Sequence, residues 1–225
     1  MKVLASLAMK AAYLELVPAF GRHSKEKIDT EWAGMVDIRK RMLAGEAVDV
    51  VIGSSGLIED LTRIGSLDSR SRVDLVKSGI GAAVRKGATK PDIGSVDALK
   101  AALLTAKSIV YSSGPSGVYL AELFERLGIA DQLKAKAKQA PPGVLVAELV
   151  AKGEFALCFQ QLPELRQVSG IDYVGPLPAE VQLVTVFSGG VHSKCADPKT
   201  AQAWLEYLAS RDAEPTIRKH GMEPA

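Results

Sequence analysis

The sequence predicts an α/β fold built from parallel sheets, on three observations. Three times in the first 65 residues a short apolar stretch runs into a turn of small residues and then a helical pattern. Parallel strands need a crossover to return the chain, and a helix is the usual one, so this alternation is their sequence signature. The same order recurs after residue 96. Finally, the segment from about 80 to 180 reads as one such block inserted into another, with the last segment packing back on the first.

Lys2 to Ala5 is the first strand, and apolar residues at helical spacing follow from Leu7 to Phe20, where Pro18 is expected to end the helix. Ile28 to Trp32 is extended and leads through Ala33-Gly34-Met35 into a helix from Val36 to Leu43. Asp49 to Ile52 is a buried-type strand, followed by Gly53-Ser54-Ser55-Gly56 and a helix from Leu57 to Ile64. Arg72 to Val76 and Ile80 to Val84 are extended around Lys77-Ser78-Gly79, as in a bent crossing strand or a small hairpin. A polar loop with Pro91, a helix from Val96 to Ala106 and a strand from Ser108 to Tyr111 come next. After the helix that ends at Gly128 there is a linker rich in Lys, Gln and Pro from Lys134 to Pro142, whose lysines read as a solvated face. A helix from Val144 to Lys152, strands at Phe155 to Gln160, Ile171 to Leu177 and Val181 to Phe187, and helices at Pro198 to Ser210 and Ala213 to Lys219 complete the chain.

At 225 residues the chain suits one large domain or two small ones. A net charge of +2 from nearly balanced acids and bases gives no support for a nucleic-acid partner. No apolar run reaches the roughly 18–20 residues of a membrane helix. Cys158 and Cys195 lack zinc or redox spacing and read as buried free thiols, and no metal site or cofactor is indicated. The apolar stretch at the start is too short for a signal-peptide core, so either the protein is cytoplasmic or this is a mature form whose leader has been removed to place it in the periplasm.

The stretch with most chemistry is Ser112 to Ala130, SSGPSGVYLAELFERLGIA. Glycines 114 and 117 let backbone approach a ligand, free N–H groups at a helix start point outward, and Ser112, Ser113 and Ser116 add hydroxyl donors. It is neither a phosphate loop nor a dinucleotide turn. An ordinary connection with Ser116 as the helix N-cap is the alternative. Because ligands in α/β sheets sit off the carboxyl ends of the strands, Ser6, Gly34, Ser54 and Ser55 are candidates as well, although turns use the same residue types.

The order of VLASLAMKAA, AGEAVDVVIGSS, GPSGVYLAELFERLGI, GEFALCFQQLPEL and DPKTAQAWLEYLAS resembles the type 2 periplasmic solute-binding proteins, in their molybdate-binding-protein-like branch. The resemblance covers essentially the whole chain. It implies two parallel-sheet lobes, residues 1–79 with 186–225 and residues 80–185, joined by two crossing hinge strands that bracket a small anion. It places ligand contacts at Ser6, at Gly34 and Met35, at Ser116 and Gly117, and near Gln160. It puts the crossing strands near Arg72 to Val84 and Val181 to Ser188. Two departures weaken a molybdate or tungstate cage: Ala33-Gly34-Met35 stands where a serine is usual, and Leu183 is near the position of an expected tyrosine. An organic carboxylate fits better, with Gln160, Gln161 or Arg72 as further contacts, since a guanidinium grips a carboxylate at two points.

The resemblance implies capture of a small anion for an ABC-type permease. The alternative it carries is isomerisation of cis- to trans-aconitate, which some relatives perform and which needs an acid/base group beside an allylic carbon. His192 is the histidine to test; His23 lies in a polar loop and His220 near the C-terminus. No hydrolytic triad or nucleophile elbow is present.

Overall fold

A computed structural model describes every residue except Lys25. The chain divides into two compact units, Met1–Ser78 with Thr185–Ala225, and Gly79–Val184.

Unit 1 opens with β1 (Lys2–Ser6), a 3-10 turn (Leu7–Met9) and α1 (Lys10–Ser24), followed by β2 (Asp29–Ala33), α2 (Met35–Leu43), β3 (Val50–Ser54), α3 (Ser55–Arg63) and β4 (Val73–Ser78). Unit 2 contributes β5 (Ile80–Arg85), α4 (Val96–Thr105), β6 (Ile109–Tyr111), α5 (Pro115–Arg126), α6 (Ala130–Leu133), β7 (Ala137–Gln139), α7 (Val146–Ala151), β8 (Leu157–Gln161), α8 (Leu162–Arg166) and β9 (Ile171–Pro176). The chain then returns to unit 1 with β10 (Thr185–Val191), α9 (Pro198–Leu208), α10 (Glu214–Lys219) and β11 (Glu223–Pro224).

The sheet of unit 1 has the order β11-β4-β10-β3-β1-β2. β1 is parallel to β2 and β3, whereas β10 runs antiparallel to both β3 and β4. Alternate residues serve opposite faces, as strand geometry requires. Val3, Ala5, Val50 and Ile52 pack with α1, α9 and α10 around Trp204, and Leu4 and Val51 pack with α2 and α3. In unit 2 the order is β7-β6-β8-β5-β9, with β6, β7 and β8 parallel and β5 antiparallel to its two neighbours. Leu157 and Phe159 face one core there, and Val110 and Cys158 face the other. Both units are thus sheets covered by helices on two faces.

Several local expectations are corrected. Pro18 sits inside α1 instead of ending it. A proline removes a helical N–H and crowds the carbonyl four residues earlier. Here Leu14 and Pro18 both lie on the exposed face, while Leu16 and Phe20 on the other face are buried against the Trp204 core and hold the helix together. His23 falls in that helix, not in a loop. The linker at 134–142 contains an edge strand, β7, parallel to β6. Lys136 is not merely solvated, because its ammonium donates to the Leu104 and Ala106 carbonyls at the end of α4, where a cation is favoured. β10 begins at Thr185, four residues later than expected, because Ala179–Val181 forms a 3-10 turn. Gly189 and Gly190 therefore lie within the strand. A Cβ on Gly189 would come within 2.2 Å of Leu205 in α9, so glycine is what lets that helix sit so close. β4 and β5 belong to different sheets, so the segment between them is a bent crossing and not a hairpin.

Candidate functional site

The carboxyl edge of the unit 2 sheet gathers the ends of β6, β7 and β8 and, because β5 is antiparallel to β8, the start of β5 at Ile80. At the end of β6 the chain turns through Ser112-Ser113-Gly114 into α5. Gly114 is the N-cap and Pro115 the first helical residue, so Ser116 lies one position inside the helix and is not its cap. Ser112 Oγ and Ser116 Oγ are 2.8 Å apart and share a hydrogen bond, with Ser112 7% and Ser116 1% exposed. The Gly117 and Val118 N–H groups both donate to the Gly114 carbonyl, and Pro115 has no N–H. Among the described residues the Ser116 N–H takes no protein acceptor. Gly117 is required by packing, since a Cβ there would lie 1.5 Å from the Ser112 carbonyl oxygen.

One strand over, Gln160 and Gln161 end β8 and are each 2% exposed. The register pairs Tyr111 with Phe159, which sets Ser112 level with Gln160. Gln160 Oε1 accepts the Val146 N–H at 3.0 Å, and its side chain also hydrogen bonds to the carboxyl of Glu164. Glu164, half-buried in the first turn of α8, is held by the Gln161 backbone as well. Burial pushes its carboxyl up to about 7, against the opposing effect of these two hydrogen bonds, and among the described residues no charged side chain contributes. At the same edge Gln182 clamps Ile80, accepting its N–H at 2.7 Å and donating to its carbonyl at 3.0 Å.

The unit 1 sheet has a comparable edge, where β1, β2 and β3 end. Ser6 is 4% exposed and its Oγ accepts the Ala8 N–H at 3.3 Å. Ser54 caps α3 by accepting the Leu57 N–H at 3.4 Å. A hydroxyl that accepts from its own turn keeps its proton for another acceptor, so both serines remain donors. Gly34 caps α2 without a side chain, and the Met35 thioether accepts the Ser54 N–H at 3.4 Å. Ser55 is the first residue of α3. Lys10 opens α1 beside this edge, its Nζ 5.9 Å from the Trp32 ring centroid.

Two candidates fall elsewhere. Arg72 precedes β4 and His192 follows β10, which puts both at the amino edge of the unit 1 parallel strands, away from Ser6 and Ser54. Arg72 is occupied, with Nε 2.9 Å from Asp74 Oδ1 and Nη1 on Glu59. His192 accepts the Lys194 N–H on Nδ1 at 3.1 Å and borders an open groove of about 550 Å³ with Lys2 and Asp49. His220 is 2.9 Å from Glu15. The sequence reading missed Glu164, Gln182 and Lys10; for Glu164 the signal was a proline and an acid in the first turn after Gln161, a helix-start pattern too short to stand out. Neither thiol is in a disulfide; Cys158 is buried and pushed up to about 12 by desolvation, whereas Cys195, expected to be buried, is only partly so and donates to Asp49 Oδ1 at 3.4 Å. Among the described residues no group of three or more potential metal ligands occurs, and no helix is long and apolar enough to cross a membrane.

The family of bacterial extracellular solute-binding proteins matches residues 1–223. The chain belongs to that family. Among curated proteins it is similar to an aconitate isomerase of Pseudomonas sp, 41% identical over 228 residues that span 99% of this chain and 87% of that protein. Among solved structures it is similar to the periplasmic molybdate-binding protein of Azotobacter vinelandii, with TM-score 0.82, 17% identity, and coverage of 99% of this chain and 98% of that one. It is likewise similar to the sulfate-binding protein of Mycobacterium tuberculosis H37Rv, with TM-score 0.79, 17% identity, and coverage of 100% and 86%. These structural likenesses establish the fold: the chain is a two-lobe α/β protein of the periplasmic binding type.

Proposed function

We propose that the solute is a small tricarboxylate of the aconitate class and that the protein interconverts its cis and trans isomers. The observation that carries this reading is the full-length 41% likeness to an aconitate isomerase. The chemistry of the edges supports it. The buried Ser112–Ser116 pair, the Ser116 N–H and the hydroxyls of Ser6 and Ser54 are neutral donors suited to carboxylate oxygens. The thioether of Met35 at the unit 1 edge favours a ligand with a carbon skeleton over a bare tetrahedral oxyanion.

The candidate carboxylate contacts are Ser112, Ser113, Ser116, Gly117, Gln160 and Gln161 at the edge of the unit 2 sheet and Ser6, Gly34, Met35, Ser54 and Ser55 at the edge of the unit 1 sheet, each set taken by itself. Arg72 and His192 are left out of the assignment because they lie at the other edge of their sheet.

A second reading, favoured by family membership, keeps the same ligand but has the protein deliver it to an ABC-type permease from the periplasm without chemistry. One experiment separates the two. Purified protein is incubated with cis-aconitate and followed by proton NMR, and its unfolding midpoint is measured with molybdate, sulfate, phosphate, citrate and both aconitates. A ligand specific for the folded state adds about 2.7 kcal/mol at a hundredfold excess over its Kd. Appearance of trans-aconitate supports the isomerase. A stability shift with tricarboxylates and no conversion supports delivery, and a shift with molybdate or sulfate alone refutes the ligand class.

A further inference from the structure

We propose that Glu164 is the group that carries the proton during isomerisation, taking it from the methylene carbon of the bound tricarboxylate and returning it to the far carbon of the allylic unit. This rests on the isomerase reading above. The step balances without any co-reactant. The methylene C–H bond breaks, its electron pair spreads over the three-carbon unit, the double bond moves over, and a new C–H bond forms at the former vinyl carbon. Glu164 starts and ends as a carboxylate, and the rotamer in which the methylene arm is held decides the geometry of the new double bond.

Position is the first argument. Glu164 lies in the turn directly after β8, at the carboxyl edge that carries the Ser112–Ser116 donors, and Gln160, to which it is hydrogen bonded, is level with Ser112 on the neighbouring strand. A ligand carboxylate held at Ser112 and Ser116 therefore lies at the same sheet edge as the base, whose helix packs on β5, β8 and β9. Orientation is the second argument. The Gln160 side chain and the Gln161 backbone hydrogen bond to the carboxyl, and Gln160 is itself fixed by the Val146 N–H, so the base is restrained by neighbours on β8. Two donors leave lone pairs on the carboxylate for a substrate proton. The third argument is electrostatic: among the described residues no cation acts on Glu164, unlike Glu46, which Arg41 holds well below the usual carboxylate range. A carboxylate raised by burial to near neutrality is a stronger base than a solvated one and is still ionised in a useful fraction at pH 7.

The test uses the full chain with E164Q and E164D. Isomerisation is read by NMR from cis-aconitate, and binding of trans-aconitate by calorimetry. The expected result for E164Q is a kcat lowered by about 100-fold or more with a Kd within a few-fold of the wild type. E164D, which keeps a shorter carboxylate, is expected to retain more of the rate. Wild-type kcat/KM should rise with pH through an apparent pKa near 7, and E164Q should lose that limb. An E164Q that turns over like the wild type overturns the inference and leaves the isomerase reading intact. An E164Q that loses binding or folding in step with rate assigns the residue to capping α8 and also overturns it. A wild-type protein that binds aconitate without converting it overturns the isomerase reading, and this inference with it.

Discussion

Replacing Gly117 by alanine tests the geometry on which the unit 2 edge depends. The added Cβ would lie 1.5 Å from the Ser112 carbonyl oxygen and 2.5 Å from its carbon. Both are backbone atoms, so no side-chain rotation relieves the overlap. Restoring an ordinary contact requires the first turn of α5 to move away from the Ser112 turn by about 2 Å. That displacement breaks the 2.8 Å bond between the Ser112 and Ser116 hydroxyls, both of which are buried. Overpacking of this kind costs about 1–3 kcal/mol, and stranding the buried hydroxyls adds about 1 kcal/mol. We expect G117A to lower stability by about 2–4 kcal/mol, a fall in Tm of roughly 10 °C. Urea unfolding at fixed pH measures it. Gly114→Ala is the comparison, since its Cβ would come no nearer than 3.9 Å to Ser112 Oγ, and only the loss of a favourable N-cap glycine, about 1 kcal/mol, is expected. A G117A protein with the wild-type midpoint would show that the Ser112 carbonyl does not approach Gly117 so closely, and the donor geometry at this edge would have to be redrawn.

Ser116→Ala removes one hydroxyl of the pair and leaves Ser112 buried without it, a loss of about 1–2 kcal/mol by urea unfolding and weaker tricarboxylate binding by calorimetry. Gly189→Ala drives a Cβ to 2.2 Å from Leu205, itself fully buried, and is expected to cost about 1–3 kcal/mol, whereas Gly56→Ala in α3 meets nothing within 4 Å and should gain up to about 1 kcal/mol. For Glu164 the folded-state pKa is raised from 4.5 to about 7, so the protonated form is favoured and the associated stability is full below pH 4.5 and falls as pH rises through 7. The full shift would be about 3 kcal/mol; because the residue as a whole is only half-buried, about 1–2 kcal/mol is expected. E164Q should therefore gain on the wild type between pH 4.5 and 8 in denaturant unfolding, and a difference that does not change with pH would refute the burial argument.

Strand–turn–helix alternation was legible in the sequence because its causes are local. Short apolar runs such as Val50-Val51-Ile52, bounded by turn residues, read as strands buried on both faces, and Ser54 or Gly114 at the following turn meets a backbone requirement within a few residues. The hydroxyl turns at Ser6, Ser54 and Ser112 were found for the same reason. Only the tertiary structure decided which edge of a sheet each residue occupies. Arg72 and His192 flank strands that look as favourable as the others, and the direction of β10, antiparallel to β3, places both at the amino edge. β7 could not be read because an edge strand of three residues, two of them exposed, buries too little to leave an apolar pattern. Glu164 is ordinary in sequence. Its chemistry comes from desolvation and from two glutamine partners held by strand pairing, a property of the folded surroundings rather than of the residue.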